Sequence, residues 1–261
     1  MRDATRWLVL VIVLGSILAA FYYYWQQKYP LPNKAQPAPE AKIEPRIRHP
    51  IQGAEAQRAP QTDEQAKPLP PLNESDEATQ DALSGLFGRK SVQEFFRLED
   101  IVRRLVVTID NLPRRQVPLR YMPVKPTVPR FLSTGEEENV FISPDNYRRY
   151  TPYVRLAEAV EANKLVAVYV HFYPLFQQAY QDLGYPSGYF NDRLVEVIDD
   201  LLATPDVQGP VKLVRPKVMY QFADPDLEAR SAGQKILIRM GSENAARIKA
   251  KLQEIRRELT G

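Results

Sequence analysis

Trp7 opens and Trp25 closes the one long, unbroken apolar run in this chain. As a helix, at ~1.5 Å per residue, it covers roughly 28 Å, close to the ~30 Å hydrocarbon core of a bilayer. Its terminal Trp and Tyr rings fall where head groups begin. Arg2 and Arg6 in front of the run would also suit a secretory signal, but no small-x-small cleavage site follows. Ala19 and Ala20 lead straight into Phe21, Tyr22, Tyr23, Tyr24 and Trp25. The run is therefore expected to remain as a single transmembrane helix over residues 7–25 with the lipid bilayer as its partner. Arg2 and Arg6, set against Lys28 and Lys34, orient residues 1–6 toward the cytoplasm and everything after the run outside.

Residues 26–71 read as a disordered Pro-rich linker, because Pro, Ala, Gln, Glu and Lys dominate and large apolar side chains are too few to bury a core. Some forty residues of this texture reach between about 40 Å as a coil and about 130 Å as a polyproline helix. The remainder, residues 72–261, is long enough for one domain of ordinary size. The chain contains no cysteine, which excludes disulfides, thiol nucleophiles and thiolate metal sites. A net charge of +3 over 261 residues, with no recognisable nucleic-acid module, points away from nucleic acid as a partner.

Helix signals are dense after Leu72. Ser91 with Glu94 and Ser231 with Gln234 have capping-box spacing, while Ser143-Pro144, Thr151-Pro152 and Asp224-Pro225 each place an N-cap before a proline. Leu98, Ile101, Val102, Leu105, Ile109 and Leu112 form a helical stripe stopped by Pro113. Leu165, Val168, Tyr169, Phe172, Phe176, Ala179 and Leu183 form a longer one, with Pro174 inside it as a source of a kink and Gly184 at its end. Phe190, Leu194, Val197, Ile198 and Leu201 make a third, ended by Thr204-Pro205. Ala245, Ile248, Leu252, Ile255 and Leu259 run heptad-like to the C-terminus.

Residues 114–130 hold prolines at 118, 123, 126 and 129 and many basic side chains, with no acid, so an irregular, solvent-facing loop is expected. Phe131, Leu132 and Ser133 can pair with Val140, Phe141 and Ile142 as a small hairpin, and residues 211–222 can add an extended segment. The expected fold is mainly α: a single N-terminal transmembrane helix, a Pro-rich tether and a compact multi-helix domain with a small β-hairpin.

The order of several blocks resembles a known family. They are residues 103–113 (RRLVVTIDNLP), 146–150 (NYRRY), 173–186 (YPLFQQAYQDLGYP), 188–193 (GYFNDR), 214–220 (VRPKVMY), 231–235 (SAGQK) and Met240-Gly241. Together they resemble the domain of unknown function 3014 family of bacterial inner-membrane proteins over nearly all of the chain after Leu72. The resemblance implies an N-terminal anchor, a variable tether and this domain. It implies no activity.

Candidate chemistry is sparse. His171 is the only histidine after the tether and flanks an apolar stripe without a nucleophile elbow, so no catalytic residue is assigned. His49 lies in the tether, so no metal or cofactor is expected. Asp192, Glu196, Asp199 and Asp200 share one face of the helix over residues 189–203. They could serve a cell-wall hydrolase, but an acidic outer face is also what an amphipathic helix shows. The most unusual string is residues 185–193, in which a Pro-Ser-Gly turn feeds a helix N-terminus. Tyr185, Tyr189, Asn191, Asp192 and Arg193 are its candidate binding residues, with a packing and capping role as the alternative. The expected function is a non-catalytic binding or scaffold domain held outside the inner membrane, with an envelope protein or polymer as partner. The alternative is a periplasmic hydrolase using the acidic helix.

Overall fold

The computed structural model describes residues 47–51, 68–136 and 139–261. The apolar run at 7–25 and most of the tether lie outside the described residues. Among those described, no helix is long and apolar enough to cross a membrane.

Among the described residues, ten α-helices and four short strands follow one another. A 3-10 turn at Leu72–Glu74 leads into α1 (Asp76–Phe87), α2 (Arg89–Phe95) and α3 (Ile101–Asn111). After the Pro-rich loop come β1 (Ser133–Thr134), β2 (Val140–Ile142), α4 (Pro144–Arg148) and α5 (Thr151–Glu158). The long α6 (Ala162–Asp182) and α7 (Phe190–Leu202) occupy the middle, and α6 runs on through Pro174. Then β3 (Lys212–Val214), β4 (Gln221–Phe222), α8 (Pro225–Glu228), α9 (Ala232–Arg239) and α10 (Ser242–Thr260) complete the chain.

The apolar stripes set the packing. Ile101, Val102 and Val106 of α3 meet Phe172, Phe176 and Ala179 of α6 in the main core, which Phe190 joins from α7. Val195 and Ile198 of α7 meet Leu259 of α10 in a second cluster. The second strand of the expected hairpin lies at Val140–Ile142 as its apolar pattern suggested, while the first starts two residues later than expected, with Ser133 opposite Ile142. It also grows: β3 adds to β2 and β4 to β3, giving an antiparallel sheet in the order β1-β2-β3-β4. Ile142, Leu213 and Phe222 bury one face of it with Ile238 of α9.

Three of the five N-cap expectations hold as hydrogen bonds. The Ser143 hydroxyl accepts from the Asp145 N–H, Asp224 from Asp226, and Ser231 from Gln234. Ser91 does not cap. It lies inside α2, which starts at Arg89 because Gly88, three residues before Ser91 and at φ +81°, turns the chain out of α1. Thr151 is the first residue of α5 rather than its cap. The 114–130 loop is also less free than its composition suggests. Arg97 N–H donates to Pro123 O and Lys125 N–H to Phe95 O, tying its middle to the end of α2.

Five residues of the Pro-rich tether, 47–51, pack with the domain: Ile51 is 5% exposed and belongs to the main core. What holds them there lies at the N-terminus of α7.

Candidate functional site

The turn between α6 and α7 is fixed from beneath by Gln177. Its side-chain N–H donates to Gly188 O at 2.7 Å, and its side-chain oxygen accepts from the Phe190 N–H at 2.9 Å and from the Tyr173 hydroxyl at 2.8 Å. One buried amide thereby satisfies a free N–H of the α7 first turn, so the turn needs no side-chain cap from Asn191 or Asp192. Tyr185 stacks on Tyr180, ring centroids 4.5 Å apart, and Tyr189 packs on Tyr173 at 5.5 Å.

With their capping duty removed, Asn191 and Asp192 face another chain segment. The Asp192 carboxylate accepts the main-chain N–H of Arg48 at 3.0 Å and of His49 at 2.7 Å. Asn191, fully buried, donates to His49 O at 2.9 Å while accepting from the Tyr169 hydroxyl at 3.1 Å. The Tyr189 hydroxyl accepts from the Ile51 N–H at 3.0 Å. Every one of these contacts to residues 48–51 reads main chain, and the Ile51 side chain fills an apolar seat. That is how peptide-binding surfaces divide the work between backbone hydrogen bonds and side-chain pockets.

Arg193 and Tyr185 belong to a neighbouring network. Asp110 of α3, 2% exposed, accepts from Arg193 Nε at 3.1 Å and from Arg114 Nη2 at 2.6 Å. Arg193 also donates to Asp110 O at 2.7 Å and to Glu196 at 2.9 Å, and the Tyr185 hydroxyl bridges Arg114 and Asp110. Asp110 raises the pKa of Arg114 above its ordinary value. Burial, first of all, holds the Tyr169 phenol neutral well beyond its usual range and pushes Tyr180 up as well.

The two networks share a pocket of about 370 Å³ whose wall includes Asp110, Tyr185, Tyr189, Asp192, Arg193 and Glu196. The five candidate residues therefore split by role: Tyr189, Asn191 and Asp192 grip the tether, whereas Arg193 and Tyr185 are tied to Asp110. Asp110 was missed because it stands within the polar half of an amphipathic stripe, where any carboxylate looks like a solvated one. The tether segment was missed because nothing local marks it apart from Ile51.

The acidic face does not act as a unit. Asp192 and Glu196 look into the pocket, each already bonded, whereas Asp199 pairs with Arg256 of α10 at 2.6 Å and Asp200 accepts from Ser231 at 2.7 Å. His171 is exposed and edge-on to Phe172. Among the described residues, no group of three or more His, Asp or Glu is placed to hold a metal ion.

The model of one family, described as a protein of unknown function (DUF3014), matches residues 101–256, more than half of the chain. No curated protein and no solved structure matches. The matched stretch contains Asp110, Tyr189, Asn191, Asp192 and Arg193, whereas the gripped residues 48–51 lie outside it.

Proposed function

The chain belongs to the DUF3014 family, and we propose that it is a single-pass, membrane-anchored, non-catalytic binding module of the bacterial envelope, with its N-terminus cytoplasmic and its helical domain periplasmic. Residues 7–25 are the anchor in this reading. The observation that carries the binding role is the grip of Tyr189, Asn191 and Asp192 on the main chain of residues 48–51. A site that reads two successive N–H groups, a carbonyl and one apolar side chain takes a short peptide that bends as this segment does at Arg48 and His49. In this chain its own tether fills that site.

Gripping the tether also sets the spacing. With residues 47–51 on the domain, the stretch between that grip and the proposed anchor is residues 26–46, a length that spans about 25 Å if it is a coil and about 65 Å if it is a polyproline helix, the latter roughly half the extended span of the whole linker. A partner peptide that displaced the segment would release the domain to the longer reach.

The test has two arms. Ile51→Asp should empty the site in the full-length chain, which should then bind an added peptide of sequence Ile-Arg-His-Pro-Ile saturably and lose that binding when Asp192→Ala is added. Absence of saturable binding would contradict the peptide-reading role. For the anchor, a cysteine placed at Thr260 in this cysteine-free chain should react with a membrane-impermeant thiol reagent in spheroplasts, and complete protection would contradict the orientation.

A further inference from the structure

Beside the residues that grip the tether, the domain contains a cavity of about 300 Å³ between α1, α3, α6, α7 and α10. Its wall is hydrocarbon throughout. Thr79 and Tyr169 are the polar side chains in it, and both hydroxyls are committed elsewhere, Thr79 to Ser75 O at 2.8 Å and Tyr169 to Asn191 at 3.1 Å. A ligand inside finds no hydrogen bond, which excludes sugars, nucleotides, peptides and ordered water.

The shape narrows the class further. The wall runs from Leu165 to Phe176 on α6 and from Phe190 to Leu201 on α7, eleven rises of ~1.5 Å on each, so it extends about 16 Å along the helices. A wall this long around so modest a volume suits one unbranched chain better than a compact fused ring system. The volume is twice the ~150 Å³ apolar cavity that takes up benzene, which corresponds to about a dozen carbons. Leu105, Leu165, Leu201 and Leu252 are partly exposed, so the cavity can be entered from the surface. A void of this size left empty forfeits packing on the scale of a domain's net stability.

We propose that this cavity is a binding site for a single linear alkyl chain of about twelve carbons, as carried by a fatty acid or a phospholipid. The proposal goes beyond the peptide-binding reading and survives its failure, because the cavity wall contains neither Asp192 nor Tyr189.

The test uses the full-length chain in lipid nanodiscs with two photoactivatable probes, dodecanoic acid with a diazirine on its chain and a phospholipid with the same group on one acyl chain. Crosslinks are mapped by mass spectrometry. Labels should fall on residues such as Leu105, Val168 and Leu252 with one probe or both, and the probe that labels identifies the source. Val197→Phe, and Leu105→Trp from the opposite wall, should reduce this labelling at least tenfold while helicity is retained. Labels confined to residues 7–25 and outer helix faces in the unaltered chain would overturn the proposal. So would cavity labels unchanged in both filled variants, or a photocrosslinking residue at position 197 that captures residues 7–25 in place of lipid.

Discussion

The Asp192 carboxylate accepts the main-chain N–H of His49 at 2.7 Å across 143 positions of sequence. Its neighbour Arg193 turns the other way, into Asp110 of α3 at 3.1 Å. Two adjacent residues at one helix start therefore hold unrelated parts of the molecule, and their loss should have unlike effects.

Asp192→Ala should free residues 48–51 and speed proteolysis there while the domain's urea midpoint stays nearly unchanged, since the segment detaches alone. Arg193→Met should leave the tether gripped but lower global stability by about 3 kcal/mol, the low end for breaking a buried pair, because Arg114 still reaches the same carboxylate. Urea unfolding and limited proteolysis of both variants check the contrast. Equal effects in either assay would merge the two networks into one.

Gly188 is needed for close approach rather than for its backbone angle. A Cβ there would lie 2.7 Å from Tyr180 Cε1 and 3.0 Å from Tyr185 Cβ, on the very pair of stacked rings that seals the turn. Gly188→Ala should cost about 1–3 kcal/mol by overpacking. Thermal unfolding reads it, and a neutral result would mean the stack can slide.

Alkaline pH should destabilise the domain through Tyr169. Its phenol is held neutral well above the ordinary value by burial, so the folded chain keeps a proton that the unfolded chain sheds near pH 10. The contribution is complete below that pH and drains away as pH rises toward the folded-state value. Tyr169→Phe should cost about 1 kcal/mol at neutral pH by removing the hydrogen bond to Asn191. It should also flatten the alkaline decline in stability, measured by urea unfolding across that range.

What the sequence disclosed was local. Ser143, Asp224 and Ser231 cap helices because their chemistry acts within three residues, and the stripe through Phe172 and Phe176 faces the core because periodicity alone decides it. Ser91 misled because a capping box cannot outweigh a glycine that has already turned the chain at position 88. The sheet was only half legible: Phe141 pairs with Lys212 across four intervening helices, and strands of two or three residues leave little alternation to detect. The site was legible as a place but not as a mechanism. Tyr189, Asn191 and Asp192 stood out by type, yet their partners Arg48, His49 and Ile51 sit in a segment whose composition says spacer, and tertiary contact overrides composition there.

Amide hydrogen exchange at Arg48, His49 and Ile51 in the full-length chain shows whether this domain grips its own tether. These three amides should be protected in the unaltered protein, and Asp192→Ala should return Arg48 and His49 to the rate of an unstructured chain. Exchange at that unprotected rate in the unaltered protein would contradict the grip.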